Sequence, residues 1–310
     1  MQTGYCLVRL RNGACSVRSL ADDETFHPGI GPAAEAEALY VRQLRLPDRI
    51  KESDGEFVIW DVGLGAAANA LTAIRMLAEN KDGLPPSRPM QLRLVSFDRT
   101  VDAAEFAIEH AGELGYVMEY QRELAELIQE RIVRFKTGRL EVEWTLLPGD
   151  FPAWLAGDRD YRFPDRPEEI RASGAAEREF GAPAPHAILF DPHSPKKNPA
   201  MWTTSLFTDL FRRLDPERPC ALATFTRSTM ARVAMLLGGF FVGPGHPSGL
   251  KEETTVAANR LDLLPEPLDR RWLDRVNRSG SAEPLKGPVY GQKPLSLETM
   301  KRLERHSQFG

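Results

Sequence analysis

Apolar strand-like segments alternate with helix-forming segments along most of this chain, and this alternation constrains the fold more than any other feature. The apolar segments are rich in β-branched and aromatic residues, whereas the segments between them are rich in Ala, Leu and Glu. Strands that alternate with helices predict an α/β fold, with a parallel sheet covered by helices on both faces. The strand-like segments are EFVIWDVGLG, QLRLVSFDR, LEVEWTLLPGDF, HAILFD and CALATFT.

The regions on either side of this alternating part differ from it in composition. Residues 1–50 contain a predicted β-hairpin at Asn12-Gly13 and then a helix-forming stretch, and we expect this segment to pack on the domain that follows it. The alternating part, 51–259, is predicted to be one Rossmann-like domain interrupted by a polar, proline-containing insertion at 157–185. Residues 260–310 are predicted to form a C-terminal extension with little core of its own.

Two further predictions concern secondary structure within the alternating part. The segment YQRELAELIQERIVRF, residues 120–135, has helical composition over its whole length and is predicted to be one helix. The segments FFVGPG and ETTVAAN are predicted to be a final pair of strands.

Composition and charge narrow the class of protein. The chain has 310 residues, of which 42% are hydrophobic, and no apolar run is long enough to span a bilayer. No secretory signal is recognisable at the N-terminus, and the cysteines form no CxxC pair, so we expect a cytoplasmic protein without a metal site. The three cysteines are Cys6, Cys15 and Cys220.

The charge is unevenly distributed along the chain. The formal net charge is −4, with −10 on residues 1–195 and +6 on residues 196–310. A basic C-terminal third is typical of a surface that binds phosphate, although uneven surface charge alone would give the same count.

Glycine and aspartate residues stand at the ends of successive predicted strands. Ligands of doubly wound sheets bind beyond the carboxyl ends of the strands. The turn after the first strand has a GxG pattern, but Ala67 stands where dinucleotide-binding proteins have a third glycine. Any one of these aspartates could be a solvated loop residue or a helix cap. Together, at successive strand ends, they predict a ligand site. The residues are Gly63, Gly65, Asp98, Asp150 and Asp191.

The loop after Asp191, in ILFDPHSPKKNPAMWT, combines three prolines with a histidine and two lysines. A carboxylate on a stiff loop can accept a hydrogen bond from an amine and direct its lone pair towards an electrophile. It also stabilises the positive charge that develops on nitrogen during methyl transfer. The pattern therefore favours an N-methyltransferase that uses S-adenosylmethionine.

These segments resemble the methyltransferase domain of the MnmC family. The loop matches that family's D-G-F-x-P-x-K-N-P-x-M-W motif in register, and WDVGLGAAANAL and VSFDR match its E-x-G-F-G-T-G-L-N and S-F-E-K segments. The resemblance covers roughly residues 20–156 and 186–257. The residues of the loop motif that match are Asp191, Pro195, Lys197, Asn198, Pro199, Met201 and Trp202.

The resemblance implies a class I fold, S-adenosyl-L-methionine as cofactor and tRNA as partner. Methylation of the aminomethyl group of wobble 5-aminomethyl-(2-thio)uridine is the implied reaction, in a form without the family's flavin-dependent oxidase domain. Asp191 and His193 are the predicted catalytic residues. The predicted cofactor-binding residues are Asp61, Gly63, Leu64, Gly65, Asn69, Asp98, Arg99, Gly149 and Asp150.

Four basic residues are candidates for contacts with tRNA. Lys196 and Lys197 either contact phosphate or serve as a solvated lysine and a packing residue. Arg270 and Arg271 belong to an arginine-rich segment that either guides RNA or forms an ordinary surface helix.

Departures from the family pattern leave the acceptor open. His193 replaces a phenylalanine and Pro192 a glycine, so His193 either stacks on uracil or binds a different acceptor. The alternatives are an N-methyltransferase of a small amine or protein and a non-catalytic scaffold. Trp202 is predicted to lie in the core rather than to stack on a base. His27 could line the acceptor pocket, but we interpret it as a structural histidine.

Overall fold

A small antiparallel sheet opens the chain. The computed structural model describes residues 4–53, 55–80, 89–157, 182–247 and 252–310. Strands β1 and β2 form the hairpin predicted at Asn12-Gly13, where Gly13 adopts a φ of 86°. A short third strand pairs with β2. The strands are β1 (Tyr5–Arg9), β2 (Cys15–Ser19) and β3 (Glu24–Thr25).

An eight-stranded sheet forms the centre of the molecule. Its strand order is β10-β11-β9-β8-β4-β5-β7-β6, and the five strands from β9 to β7 are parallel. The pairings of β10 with β11, β11 with β9 and β6 with β7 are antiparallel, and β10 and β11 form the predicted final pair. The strands are β4 (Glu56–Val62), β5 (Met90–Asp98), β6 (Ile132–Thr137), β7 (Leu140–Pro148), β8 (Ala187–Phe190), β9 (Ala221–Thr224), β10 (Phe241–Gly245) and β11 (Thr254–Ala258).

Helices cover both faces of this sheet, and two separate apolar clusters lie between the sheet and its helices. A π-helical stretch, Glu37–Arg42, follows the first helix. No helix within the described ranges is both long and apolar enough to cross a membrane. The helices are α1 (Pro32–Ala36), α2 (Leu46–Arg49), α3 (Ala68–Glu79), α4 (Asp102–Glu109), α5 (Ala111–Leu114), α6 (Gln121–Glu130), α7 (Phe151–Ala156), α8 (Thr204–Arg212), α9 (Thr229–Gly238), α10 (Arg270–Val276) and α11 (Leu297–Glu304).

The helix predicted at 120–135 is wrong over residues 131–135. Helix α6 ends before Arg131, which adopts a left-handed φ of 66°, and β6 then pairs antiparallel with β7. Gly138, at a φ of 55°, makes the turn between these strands. Apolar and charged residues alternate in IVRFKT, which is the period of a strand with one exposed face, and this overrides the helical composition before it.

The expectation of little core in residues 260–310 is also wrong. Gln308 donates from Nε2 to the Val242 carbonyl at 2.7 Å and accepts from the Val242 amide at 2.8 Å, so the extension pairs with the outer edge of β10. Its apolar side chains are spaced too irregularly for a pattern to reveal them. Those buried in the core are Leu264, Leu268, Trp272, Leu273, Val276, Ala282, Leu285, Leu303 and Phe309.

The N-terminal segment is packed against the central sheet. Arg49 donates from Nη2 to the carbonyls of His186 and Pro219, at 2.7 and 2.9 Å, and so ties α2 to the strands β8 and β9. Of the predicted insertion at 157–185, residues 158–181 lie outside the described part of the chain. The domain boundaries stay predictions.

Candidate active site

A cavity of about 510 Å³ opens beyond the carboxyl ends of the parallel strands, which is a typical size for a small-molecule site. It lies where the strand order reverses, between β4 and β8. The structure brings ten of the predicted catalytic and cofactor residues to its wall. These are Gly63, Leu64, Gly65, Asn69, Asp98, Arg99, Gly149, Asp150, Asp191 and His193.

The glycine turn after β4 fits tightly against the strand beside it. Gly63 has a φ of 97°, and a Cβ at this position would lie 2.6 Å from the Asp191 carbonyl oxygen. Gly65 has a φ of 50°. Ala67, which replaces the third glycine, also adopts a left-handed φ, 62°, and caps α3. The turn therefore keeps the glycine-like backbone even where the glycine is missing.

The next two strands place carboxylates beside this turn. Asp98, at the end of β5, accepts from the Gly65 amide at 2.8 Å and from the Arg99 amide at 2.7 Å. Burial raises the pKa of Asp98, although these backbone donors act in the opposite direction. Asp150, after β7, accepts from the Ala153 amide at 3.0 Å. Asp150 is thus a helix cap and also part of the cavity wall.

Asp61 is the exception among the predicted cofactor residues. It is fully buried beneath the cavity and does not line it, so the predicted direct contact with a cofactor does not fit the structure. Its Oδ2 accepts from Ser96 Oγ at 2.8 Å, and Ser96 Oγ accepts in turn from Trp144 Nε1 at 2.9 Å. Burial raises the pKa of Asp61 to about 8. We infer that this residue supports the turn from below.

Asp191 faces the cavity at the end of β8. Its Oδ2 accepts a hydrogen bond from Asn69 Nδ2 at 2.8 Å, and His27 Nε2 lies 3.6 Å from the same oxygen. Asn69, which was predicted to bind the cofactor, therefore orients the predicted catalytic carboxylate. Gly63 packs against the backbone of Asp191, so the main chain and the carboxylate of this residue are each held by a contact.

Both ring nitrogens of His193 lie close to carboxylates of the N-terminal segment. Nδ1 lies 3.1 Å from Glu24 Oε2, and Nε2 lies 3.4 Å from Asp22 Oδ2. The hydrogen bond to Glu24 raises the pKa of His193. The ring centroid is 5.7 Å from that of Phe26, and fully buried Trp202 donates from Nε1 to the His193 carbonyl at 3.0 Å. The prediction that Trp202 lies in the core is confirmed.

Sequence reasoning missed the wall that the N-terminal segment contributes. His27, interpreted from sequence as structural, lines the cavity, and its Nδ1 lies 3.9 Å from Glu35 Oε2. The only signal in the sequence was the weak family match in ETFHPG, which gives no sign that this loop meets the strand ends. The N-terminal residues that line the cavity are Asp23, Glu24, Thr25, Phe26, His27, Pro28, Glu35 and Leu39.

The four predicted tRNA-binding residues do not line this cavity. Lys196 and Lys197 are exposed on the loop after β8, and Arg270 and Arg271 are exposed on α10. Among the described residues, no group of three or more potential ligands is placed to hold a metal ion.

The buried carboxyl group of Asp61 predicts a pH dependence of stability. The pKa of Asp61 is about 8 in the folded protein and about 3.8 in the unfolded chain. Between these pH values the folded state therefore binds more protons than the unfolded state. The free energy of unfolding should therefore fall as the pH rises from about 5 to about 8, by up to about 1.4 kcal/mol per pH unit. Asp61→Asn should remove this contribution, as measured by urea denaturation across that range.

Asp102→Asn serves as the matched control, because Asp102 is exposed in the first turn of α4. In this variant the free energy of unfolding should change with pH as steeply as in the wild type. Equal slopes for wild type and Asp61→Asn would show that Asp61 is already ionised in the folded protein at these pH values, which would contradict the prediction.

Comparison with known proteins gives three relevant findings. A family model described as S-adenosyl-L-methionine-dependent methyltransferase matches residues 177–260. The tRNA 5-methylaminomethyl-2-thiouridine biosynthesis bifunctional protein MnmC of Aeromonas hydrophila subsp. hydrophila is 27% identical over 253 residues, which are 80% of this chain and 34% of that protein. The chain therefore spans about a third of the length of this relative.

The crystal structure of MnmC2 from Aquifex aeolicus is similar over 98% of this chain and 85% of that chain, with a TM-score of 0.64 and 21% sequence identity. This similarity confirms the predicted α/β class and the Rossmann-like fold. The family model and the curated relative confirm the resemblance predicted from the loop after β8. Together these findings support an S-adenosyl-L-methionine-dependent methyltransferase that is similar in sequence to MnmC over most of this chain.

Proposed function

We propose that this enzyme methylates the aminomethyl nitrogen of wobble 5-aminomethyl-(2-thio)uridine in tRNA. The observation that carries the proposal is the placement of Asp191, fixed by Asn69, in the same cavity as the glycine turn. The name of the curated relative, which refers to 5-methylaminomethyl-2-thiouridine in tRNA, supports this choice of acceptor.

The residues of the glycine turn and the neighbouring strand ends fit S-adenosyl-L-methionine, which supplies an electrophilic methyl group when bound. Gly63 and Gly65 expose backbone to the cavity, as close approach of a ligand requires. Asp98 would accept hydrogen bonds from the ribose hydroxyls, and Asp150 from the adenine amino group. Several carboxylates around the cavity also favour a sulfonium cation.

Asp191 would act on the acceptor amine. Its carboxylate can accept an N–H hydrogen bond, which turns the nitrogen lone pair towards the methyl group. It also stabilises the positive charge that grows on nitrogen as the new C–N bond forms. Because Asn69 and the Gly63 backbone hold Asp191 in place, little reorganisation is needed at the moment of reaction.

His193 would contact the base of the acceptor nucleoside through its ring face. Both ring nitrogens face carboxylates of the N-terminal segment, so neither is directed at an acceptor. A flat ring beside Phe26 suits stacking on uracil. This geometry favours stacking over recognition through a ring nitrogen.

A small amine or a protein lysine is the second candidate acceptor. The specific observation in its favour is the acidic wall contributed by Glu24, Glu35 and Asp191, which attracts any cationic amine. A flat ring such as that of His193 stacks on a nucleobase but contributes little binding energy to an aliphatic amine, so we prefer the nucleoside as the acceptor. The methyl-transfer assay described below compares the tRNA nucleoside with small amines and protein as acceptors.

Asp191→Asn tests the proposed mechanism. The change keeps the shape of the side chain and the acceptor oxygen for Asn69 but removes the charge, so we expect a loss in turnover of about 10²-fold or more. Labelled methyl transfer to tRNA that carries 5-aminomethyluridine is the assay, with nucleoside mass spectrometry to locate the methyl group. Asp209→Asn, on α8 and away from the cavity, is the control and should behave as wild type.

The same assay decides between the acceptors. Labelling of tRNA that carries the aminomethyl group, but not of tRNA that lacks it, is the expected result. Labelling of small amines or protein in preference to this tRNA would contradict the proposed substrate. Turnover of Asp191→Asn within a few-fold of wild type would contradict the proposed role of the carboxylate.

We further propose that basic residues outside the cavity contact the tRNA backbone. Lys196 and Lys197 follow the catalytic strand on an exposed loop, and Arg270 and Arg271 lie exposed at the start of α10. Lysine and arginine side chains that contact phosphate release counterions, which makes affinity depend strongly on salt.

Reversal of Arg270 and Arg271 to glutamate should weaken tRNA binding, and the slope of affinity against salt concentration should become shallower. Filter binding over a series of salt concentrations measures both. Because both side chains are exposed, thermal stability should change little. An unchanged affinity and slope would exclude this surface from the tRNA interface.

A further inference from the structure

His27 occupies an unusual position in the cavity wall. It follows β3, adopts a left-handed φ of 47°, and has a side chain that is only 12% exposed. Nε2 lies 3.6 Å from Asp191 Oδ2, and Nδ1 lies 3.9 Å from Glu35 Oε2. The imidazole thus stands between two carboxylates, one of which is the proposed catalytic group.

Both carboxylates are themselves held in place. Glu35 Oε1 accepts hydrogen bonds from the amides of Gly29 and Ile30, which fixes the loop that carries His27. Asp191 Oδ2 accepts from Asn69 Nδ2. A non-glycine residue in the left-handed region is costly, and such strain persists only where surrounding contacts hold it. The position of the imidazole is therefore well determined.

The proposed reaction requires a proton acceptor near Asp191. On the proposed function, the acceptor is an aliphatic amine, which is mainly an ammonium ion at neutral pH and has no lone pair until it loses a proton. A carboxylate is a weak base for this step, whereas an imidazole has an ordinary pKa close to neutral pH. His193 is unsuited, since both of its ring nitrogens face Asp22 and Glu24.

We propose that His27 accepts the proton that the bound ammonium loses. The N–H bond breaks, its electron pair stays on nitrogen, and the proton bonds to His27 Nε2. The neutral amine then turns about its C–N bond so that the lone pair faces the methyl carbon, while one N–H remains on Asp191. The C–N bond forms as the C–S bond breaks and its electrons pass to sulfur, which leaves a secondary ammonium ion.

The proton on His27 has a path out of the site. The imidazolium lies between Asp191 and Glu35, which stabilise its charge, and its partial exposure allows transfer to solvent. One proton is released per methyl transferred. Two further titratable side chains, those of Tyr40 and Asp61, lie close to Asp191, and both are fully buried.

His27→Gly is the sharpest test, because glycine adopts the left-handed backbone of this position without strain and leaves a space for free imidazole. Single-turnover methylation of tRNA carrying 5-aminomethyluridine, with saturating S-adenosyl-L-methionine, is the assay. At pH 7 we expect a rate loss of about 10²-fold, the usual scale for a positioned base. The loss should shrink as the pH approaches the pKa of the amine, and added imidazole should restore activity at pH 7.

His27→Asn is the matched variant, since asparagine also tolerates the left-handed region but fills the space and accepts no proton. It should show the same loss and no rescue by imidazole. A loss of equal size at every pH, absence of rescue in His27→Gly, or wild-type activity of either variant would overturn the proposal. The wild-type reaction tests the proposed function separately: an inactive wild type contradicts the tRNA acceptor itself, and with it this step.

Discussion

The packing of the Gly63 backbone against the Asp191 carbonyl is the contact on which the site depends. Gly63 and Asp191 follow neighbouring parallel strands at the point where strand order reverses. A side chain at Gly63 would strike the Asp191 backbone, and the Gly63 amide also donates to the Phe97 carbonyl at 2.9 Å. The turn proposed to hold the cofactor is thereby joined to the carboxylate proposed to hold the acceptor.

The N-terminal segment completes a cavity that the central sheet leaves open. The sheet supplies Asp98, Asp150 and Asp191, while the loop after β3 supplies His27 and the partners of His193 come from β3 and the turn before it. On the proposed function, the sheet provides the cofactor side of the cavity, and the N-terminal segment provides a wall suited to a flat base that bears a cationic amine.

The strand-end residues were predictable from sequence because parallel strands bring their carboxyl ends to one edge. Strand periodicity therefore located Gly63, Asp98, Asp150 and Asp191 without any tertiary information. It could not reveal that Asn69 contacts Asp191, that Asp61 is buried below the turn, or that His27 meets Asp191. These contacts join residues far apart in the chain, and Asp61 carries the same local pattern as an aspartate that lines a ligand site. Strand β6 was hidden for a local reason, since helical composition continues up to Arg131.

The affinity for S-adenosyl-L-methionine, measured by titration calorimetry, tests most directly whether the strand ends form the cofactor site. Asp98→Ala should weaken binding by about 1–3 kcal/mol, because two ribose hydroxyls lose a charged acceptor. Asp102→Ala, which removes an exposed carboxylate outside the cavity, should leave the affinity unchanged. Wild-type affinity in Asp98→Ala would contradict the assignment of this cavity to the cofactor.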